Sequence, residues 1–431
     1  MTKSVILIIS TLFVISIYLV WTVEGQAAAS GGASLTDLID QANGKNADNG
    51  NLSQTIQDIF GTLITTAAPD INSNSGNSGT GGTGGTGGTS GTASCTCVPY
   101  YLCNNGSINT NGMGIIDIRS NDGPCETYIE VCCEKKDQTT DPITPAPPVI
   151  KEVGCGRRHE EGVGFRIKGQ MENEAEFGEF PWMVAVLREE TVAGNANVLN
   201  VYQCGGALIH PQVVVTAAHC VSGKNKVFKV RAGEWDTQHT QELLPHQDRE
   251  VQTVITHPQY YAGALYNDVA VLHLKSPFEI AENVNVVCLP PQSTVLNSAT
   301  CYATGWGKEE FGQKGKYQVI LKKIDLPIVA HDKCEQQLRS TRLGKYFQLH
   351  QSFMCAGGVP GKDTCKGDGG SPLVCPIQGQ QNRYYQMGIV AWGIGCGENN
   401  TPGVYVNLPM FRDWIDNQVK SFGLDTSSYQ Y

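Results

Sequence analysis

Sixteen cysteines constrain this 431-residue chain more than any other feature of its sequence. Their number is even and all of them follow residue 94, a pattern typical of disulfides that form in an oxidising compartment. Six fall within residues 95–133, and a segment this short cannot build an adequate hydrophobic core by itself. Disulfides must therefore stabilise it, because the zinc-binding alternative lacks Cys-x-x-Cys ligand pairs. Cysteine spacing alone leaves the pairing open.

The amino terminus and the net charge indicate where the protein acts. Lys3 precedes an apolar run from Val5 to Val23, and Glu24-Gly25 then ends in a small residue, as a signal peptidase site does. We expect residues 1–25 to be a signal peptide and the mature protein to be secreted and extracellular; a retained membrane anchor is the alternative. No later segment is apolar enough to span a membrane. The net charge of −10 argues against binding to nucleic acid or to an anionic membrane.

Low-complexity stretches divide the chain into modules. Residues 26–92 form an arm that ends, from Ser75 to Thr92, in a flexible Gly/Thr-rich tether. Within the arm, Leu52 to Ile64 has apolar residues at helical spacing, which predicts a marginal helix in a disordered segment or, alternatively, a partner-docking helix. Residues 136–154 are rich in proline and predict an extended linker after the cysteine module at 93–135.

Residues 155–426 have the pattern of an all-β domain. Short β-branched and aromatic runs alternate with turn signals, and residues 410–422 carry apolar side chains at helical spacing. Many short strands followed by one helix favour a barrel architecture. The clearest runs are Val213 to Val215, Val227 to Val230, Val269 to Leu274 and Tyr384 to Ile389.

Three motifs in this domain follow one another in the order histidine, aspartate, nucleophile loop. They are Thr216-Ala217-Ala218-His219-Cys220, Asn267-Asp268-Val269-Ala270-Val271-Leu272, and the stretch from Cys365 to Cys375. Each motif alone is weak, but together they resemble those of the chymotrypsin-like serine proteases. The resemblance covers the whole of residues 155–420 and implies a chymotrypsin-like double β-barrel with a C-terminal helix.

The cysteine module resembles the clip domain of arthropod extracellular proteases, notably in its closing Cys132-Cys133 pair. The two resemblances together imply a partner for every cysteine of the chain. In the clip domain, the implied disulfides are Cys95–Cys132, Cys97–Cys125 and Cys103–Cys133. In the protease-like domain, they are Cys155–Cys288, Cys204–Cys220, Cys301–Cys375, Cys334–Cys355 and Cys365–Cys396.

The nucleophile loop departs from the protease pattern at one position. Active relatives carry serine four residues after the first cysteine and six before the second, and both counts lead to Gly369. Without an oxygen nucleophile no acyl-enzyme forms, so we expect no peptidase activity although His219 and Asp268 are kept. Gly367 and Gly369 match the residues whose N–H groups form an oxyanion hole. Ser371 lies two residues further on and precedes a proline, too far along the chain to give its proton to the imidazole.

Three residues match the walls of a specificity pocket. Asp363, six residues before Gly369, matches the acidic floor of a trypsin-like pocket, which would accept Arg or Lys side chains. Gly393 and Gly403 match the small residues that keep such a pocket open. A locally paired carboxylate without a ligand is the alternative, since a buried carboxylate needs partners. Ala391 stands where the family usually has serine, which agrees with relaxed catalytic demands.

Two bonds are candidates for processing by an upstream trypsin-like protease. Arg119–Ser120 lies in the long loop between Cys103 and Cys125, where the implied disulfides would hold both fragments together. Arg166–Ile167 matches the zymogen cleavage site of active relatives, but Lys168 replaces an apolar residue that normally becomes buried there. We therefore favour Arg119–Ser120, with an uncut surface arginine as the alternative.

Two further kinds of site are suggested by short patterns. Asn51, Asn105 and Asn399 begin glycosylation sequons. The acidic stretch from Glu234 to Asp248 resembles the loop that holds calcium in some relatives, although a solvated loop without metal is the favoured interpretation.

The whole combination resembles the non-catalytic, masquerade-like clip-domain serine protease homologues of arthropods, of the prophenoloxidase-activating-factor type. The resemblance implies a haemolymph cofactor or scaffold that needs no cofactor of its own. It would bind prophenoloxidase and its activating clip protease, as a homo- or hetero-oligomer, in melanisation and innate immunity. The alternatives are an active trypsin-like clip protease and an adhesion or microbe-recognition protein that uses the fold as a binding surface.

Overall fold

The computed structural model describes parts of the cysteine module and most of the domain that follows it. The described residues are 95–99, 102–104, 114–116, 125, 130–139, 154–167, 173–191, 198–223, 226–238, 242–308, 317–364, 367–395 and 397–431. Several predictions lie outside these residues, namely the signal peptide at 1–25, the arm at 26–92, the sequons at Asn51 and Asn105, and the Arg119–Ser120 bond.

The cysteine module and the segment after it contribute four short strands. They are β1 (Cys95–Pro99), β2 (Gly114–Ile116), β3 (Glu130–Glu134) and β4 (Phe165–Ile167). β1 and β3 pair in antiparallel fashion, and Cys97 lies opposite Cys132 in the ladder. β2 pairs with β4 in parallel, which joins the module to the chain segment that precedes the first barrel.

The first barrel is built from runs of β-branched residues of the kind that the sequence predicts as strands. Its strands are β5 (Met183–Thr191), β6 (Val198–His210), β7 (Val213–Thr216), β8 (Phe228–Ala232), β9 (Gln247–Thr256) and β10 (Ala270–Leu274). They close into a barrel in the order β10-β7-β6-β5-β8-β9. Every residue of β7 is buried, so this strand has protein on both of its faces.

The second barrel repeats the architecture with the later strands. They are β11 (Thr300–Gly305), β12 (Lys322–Val329), β13 (Phe353–Gly357), β14 (Pro372–Pro376), β15 (Tyr384–Trp392) and β16 (Pro402–Asn407). The closed order is β11-β12-β13-β16-β15-β14. Trp182, Trp235 and Trp306 are almost completely buried in the common core. The predicted all-β double barrel is thus confirmed.

Short helices accompany the barrels in the described part of the chain. They are α1 (Ala218–Val221), α2 (His331–Arg339) and α3 (Arg412–Ser421), with 3-10 turns at Leu408–Phe411 and Ser427–Tyr429. α3 is the predicted C-terminal helix, and its Ile415 and Val419 are buried. It begins later than the apolar spacing indicates because the 3-10 turn at Leu408–Phe411, which has Pro409 near its start, comes just before it.

Seven disulfides join the described cysteines, and each of them is a pair that the family resemblance implies. They are Cys95–Cys132, Cys97–Cys125, Cys103–Cys133, Cys155–Cys288, Cys204–Cys220, Cys301–Cys375 and Cys334–Cys355. The eighth implied pair, Cys365–Cys396, lies outside the described residues.

A buried ion pair holds the segment that leads into the first barrel. Arg158 is 8% exposed, and its Nη2 donates to Glu179 Oε1 at 2.6 Å. Its guanidinium carbon lies 4.1 Å from the ring centroid of Tyr302, and its Nη1 donates to the Tyr384 hydroxyl at 3.1 Å. Both tyrosines belong to the second barrel, so the Arg158 side chain connects the incoming segment to that barrel.

Candidate functional site

The first barrel brings a histidine and an aspartate together. β7 and β10 are neighbours, and Thr216 lies opposite Ala270 in their ladder. His219, just after β7, therefore comes close to Asp268, just before β10. The His219 Nδ1 lies 2.6 Å from Asp268 Oδ2, and the His219 backbone N–H donates to Asp268 Oδ1 at 2.7 Å. Because Asp268 is fully buried and accepts both bonds, the imidazole is held with Nε2 on the side that faces Gly369.

The loop before β14 meets this pair from the second barrel. The Gly205 N–H of β6 donates to the Gly369 carbonyl at 2.9 Å, and the Gly370 N–H donates to the Val390 carbonyl at 2.9 Å. These bonds place Gly369 directly in front of the histidine. A Cβ atom added to Gly369 would lie 3.0 Å from His219 Nε2. A side chain at this position would thus contact the imidazole, and glycine supplies none.

Ser371 occupies a different place from that of a nucleophile. It is fully buried, and its N–H donates to the Asp368 carbonyl at 3.0 Å inside the turn. Its Oγ packs against the backbone of Gly205, where an added Cβ would lie only 2.0 Å away. The hydroxyl is therefore enclosed between the barrels, where a substrate has no access to it.

Asp368, next to Gly369, is half-buried against the loop that follows β11. The Gly307 N–H donates to Asp368 Oδ1 at 2.8 Å. The Tyr202 hydroxyl donates to the Gly367 carbonyl at 3.0 Å and braces the same turn. Burial, and then the nearby charge of Asp368, raise the pKa of Tyr202 well above its ordinary value, so this tyrosine stays a neutral hydrogen-bond donor. Sequence reasoning missed Tyr202, because no pattern around it distinguishes it from other strand tyrosines.

The three predicted pocket residues also lie together. Asp363 accepts the Thr364 N–H on Oδ1 at 2.8 Å and the Gly397 N–H on Oδ2 at 3.2 Å. A Cβ on Gly403 would lie 2.9 Å from Asp363 Oδ1, whereas a Cβ on Gly393 would meet no atom closer than 3.8 Å. Glycine at 403 therefore makes room for the carboxylate, and glycine at 393 borders open space. Burial raises the pKa of Asp363 to about 7.

An acidic cluster lies in the connection between β8 and β9 of the first barrel, within the predicted calcium stretch. Glu234, Glu242 and His246 bring ligand atoms within 4.8 Å of one another. Burial, opposed in part by Arg231, raises the pKa of Glu234 above its ordinary value, and burial together with the charge of Glu234 raises the pKa of Glu242. Glu234 Oε1 and Glu242 Oε2 are buried without a hydrogen-bond partner among the described residues. Two orphaned carboxylate oxygens fit a bound cation, and calcium prefers oxygen ligands.

The last sequon of the chain is accessible. Asn399 is exposed, in the turn between β15 and β16. In the part of the chain that the structure describes, no helix is long and apolar enough to cross a membrane.

Two known protein families match the two parts of the chain described above. Residues 170–415 match the family model described as Trypsin, and residues 85–134 match the one described as Serine protease Clip domain PPAF-2. The chain belongs to the clip-domain serine protease homologues of the trypsin family.

Three individual relatives show which members of this family the chain is similar to. The chain is 57% identical over 297 residues to Phenoloxidase-activating factor 2 of Galleria mellonella, covering 68% of this chain and 98% of that protein. It is 37% identical over 330 residues to Inactive CLIP domain-containing serine protease A8 of Anopheles gambiae, covering 75% and 88% of the two chains. It is 36% identical over 272 residues to Protein masquerade of Drosophila melanogaster, covering 62% of this chain and 24% of that protein.

Proposed function

We propose that this chain is a non-catalytic protease homologue in which Gly369 occupies the nucleophile position. The observation that carries the proposal is the 3.0 Å between an added Gly369 Cβ and His219 Nε2. Acyl transfer in this family needs an oxygen nucleophile whose proton passes to the histidine. With glycine there, His219 and Asp268 have no covalent partner, and only a small residual rate over water remains.

We further propose that the protein is secreted and acts as a cofactor in a proteolytic cascade that activates prophenoloxidase. Its similarity to a phenoloxidase-activating factor over 98% of that protein supports the pathway. Its similarity to clip proteins named inactive supports the absence of catalysis. Binding of prophenoloxidase and its activating clip protease then replaces chemistry as the function of the fold, and cleavage at Arg119–Ser120 by an upstream trypsin-like protease switches this binding on.

Reconstitution tests the cofactor role. Prophenoloxidase is incubated with its activating clip protease, with or without the processed chain, and phenoloxidase activity is measured. We expect the processed chain to raise the activity several-fold and an Arg119→Gln variant, which resists the cut, to raise it little. Equal activity with and without the chain would contradict the role. Recovery of only microbial surface or matrix in a haemolymph pull-down would support an adhesion or recognition protein instead.

We also predict that the affinity of the pocket at Asp363 for a cationic ligand depends on pH. A cationic probe such as benzamidine needs the ionised carboxylate, and with a pKa of about 7 the carboxyl is mostly neutral below that pH and mostly charged above it. Affinity should therefore rise about tenfold between roughly pH 6 and pH 8, as measured by isothermal titration calorimetry. An Asp363→Asn variant should bind weakly at both values. Affinity in the natural chain that does not depend on pH would contradict the prediction.

We also propose that Glu234 and Glu242 hold a structural calcium ion. A cation that binds only the folded state stabilises it by mass action, by about 2.7 kcal/mol at a concentration one hundred times Kd. Millimolar calcium should therefore raise the melting temperature by about 5–10 °C. A Glu234→Gln variant should lose this increase, whereas Glu250→Gln, which changes an exposed glutamate paired with Lys275, should retain it. The same increase in melting temperature in the natural chain and in both variants would mean that the ion binds elsewhere.

A further inference from the structure

The parallel pairing of β2 with β4 connects two modules that lie far apart in the sequence. β2 belongs to the loop between Cys103 and Cys125 of the cysteine module, whereas β4 belongs to the segment that leads into the first barrel. Gly114 lies opposite Phe165, Ile115 opposite Arg166, and Ile116 opposite Ile167. The Arg166–Ile167 bond therefore lies inside a β-ladder that the cysteine module supplies.

The two parts of the chain that meet in this ladder are each anchored to the barrels. On the module side, Val131 of β3 packs against the core of the barrels. On the other side, the Val163 N–H, two residues before β4, donates to the Phe177 carbonyl at 2.8 Å. The Cys155–Cys288 disulfide fixes the same segment further upstream. The cysteine module and the segment that carries β4 are thus each held by contacts beyond the three residue pairs of this ladder.

A strand held in this way is a poor protease substrate. Trypsin-like proteases bind the chain around the scissile bond as an extended strand, through its backbone hydrogen-bonding groups. The backbone of β4 already pairs with β2, so this ladder must open before a protease can engage Arg166–Ile167. The rate of cutting is then lowered by the small fraction of molecules in which the ladder is open.

We propose that β2 is a shield that protects the Arg166–Ile167 bond from trypsin-like processing enzymes and so restricts processing to other bonds of the chain. The shield is a contact between modules, and it does not depend on whether Gly369 occupies the nucleophile position. It also couples the two candidate cleavage events. Any change of the cysteine module that withdraws β2 exposes the bond that begins the protease-like domain.

Proline substitution tests the shield. In a parallel ladder alternate residues donate to the same neighbour, so prolines at two consecutive positions remove at least one ladder hydrogen bond. The test variant is Ile115→Pro with Ile116→Pro, and the matched control is Ile115→Thr with Ile116→Thr, which keeps both N–H groups. Each full-length protein is digested with limiting trypsin, and new amino termini are quantified by sequencing and mass spectrometry.

We expect the start at Ile167 to appear at least about tenfold faster in the proline variant than in the natural chain or the threonine control, which corresponds to about 1.4 kcal/mol of lost protection. A synthetic peptide of residues 160–172 reports the unprotected rate. Equal rates in the natural chain and the peptide, or no acceleration in the proline variant, would overturn the proposal.

Hydrogen exchange gives a second readout that needs no variant. At least one of the amides of residues 165–167 in the natural chain, the one that donates to β2, should exchange more slowly than the unprotected rate. Exchange of all three amides at the unprotected rate would overturn the shield even if the proline variant failed to fold.

Discussion

A Gly369→Ser variant is expected to react with a serine-directed fluorophosphonate, whereas the natural chain is not. The Cβ of the new serine points at His219, whose Nε2 is within 3.0 Å of that atom, and Asp268 already orients the ring. A hydroxyl at this position should raise the labelling rate at least about a thousandfold, since His219 and Asp268 do little without a nucleophile. Active-site labelling with mass-spectrometric mapping of the modified residue measures the effect.

The geometry also defines the controls for this experiment. A 3.0 Å contact is tight, but the His219 side chain is 29% exposed and has room to shift slightly. Gly369→Ser combined with His219→Ala should lose the labelling, because the hydroxyl then has no base. Ser371→Ala in the natural background should leave the absence of labelling unchanged, since that hydroxyl is enclosed between the barrels. Labelling of the natural chain at any serine of this loop would refute the assignment of Gly369.

The presence of His219 and Asp268 can be explained by structure alone, without catalysis. Asp268 is fully buried and accepts both a backbone and a side-chain N–H from His219. Replacing the histidine by an apolar residue would leave a buried carboxylate short of a partner, which is costly. Gly369 has no such constraint, because it contributes only backbone hydrogen bonds. Glycine at the proposed nucleophile position is therefore a change that the fold tolerates.

Sequence alone leads to this site because its parts are tied to local markers. Cys365 and Cys375 flank Gly369 at fixed separations, and the β-branched runs beside His219 and Asp268 place both at the ends of neighbouring strands. The ion pair of Arg158 with Glu179 and the pairing of β2 with β4 have no such local marker in the sequence. Each depends on residues that lie far apart in the chain and meet only after both barrels and the disulfides have formed. Short-range periodicity carries no information about such contacts.

Arg158→Met is expected to destabilise the protein by about 3–5 kcal/mol, although the residue lies outside the candidate site. The substitution keeps much of the side-chain volume but removes the guanidinium from Glu179, which is 0% exposed. Glu179 would keep Lys323, whose Nζ donates to its Oε2 at 2.7 Å, but its Oε1 would lose both bonds from Arg158. Urea denaturation with the disulfides intact measures the loss of unfolding free energy.

A double-mutant cycle separates the ion pair from simple packing. Glu179→Gln removes the charge that Arg158 neutralises, so the double variant should be less destabilised than the sum of the two single changes. Lys275→Met breaks an exposed pair with Glu250 and should leave stability unchanged, because solvent screens that contact. Additive effects in the cycle would mean that Arg158 acts through its contacts with Tyr302 and Tyr384 instead. In either case the Arg158 contacts bind the incoming segment to the second barrel, so the same variant should also loosen the attachment of β4.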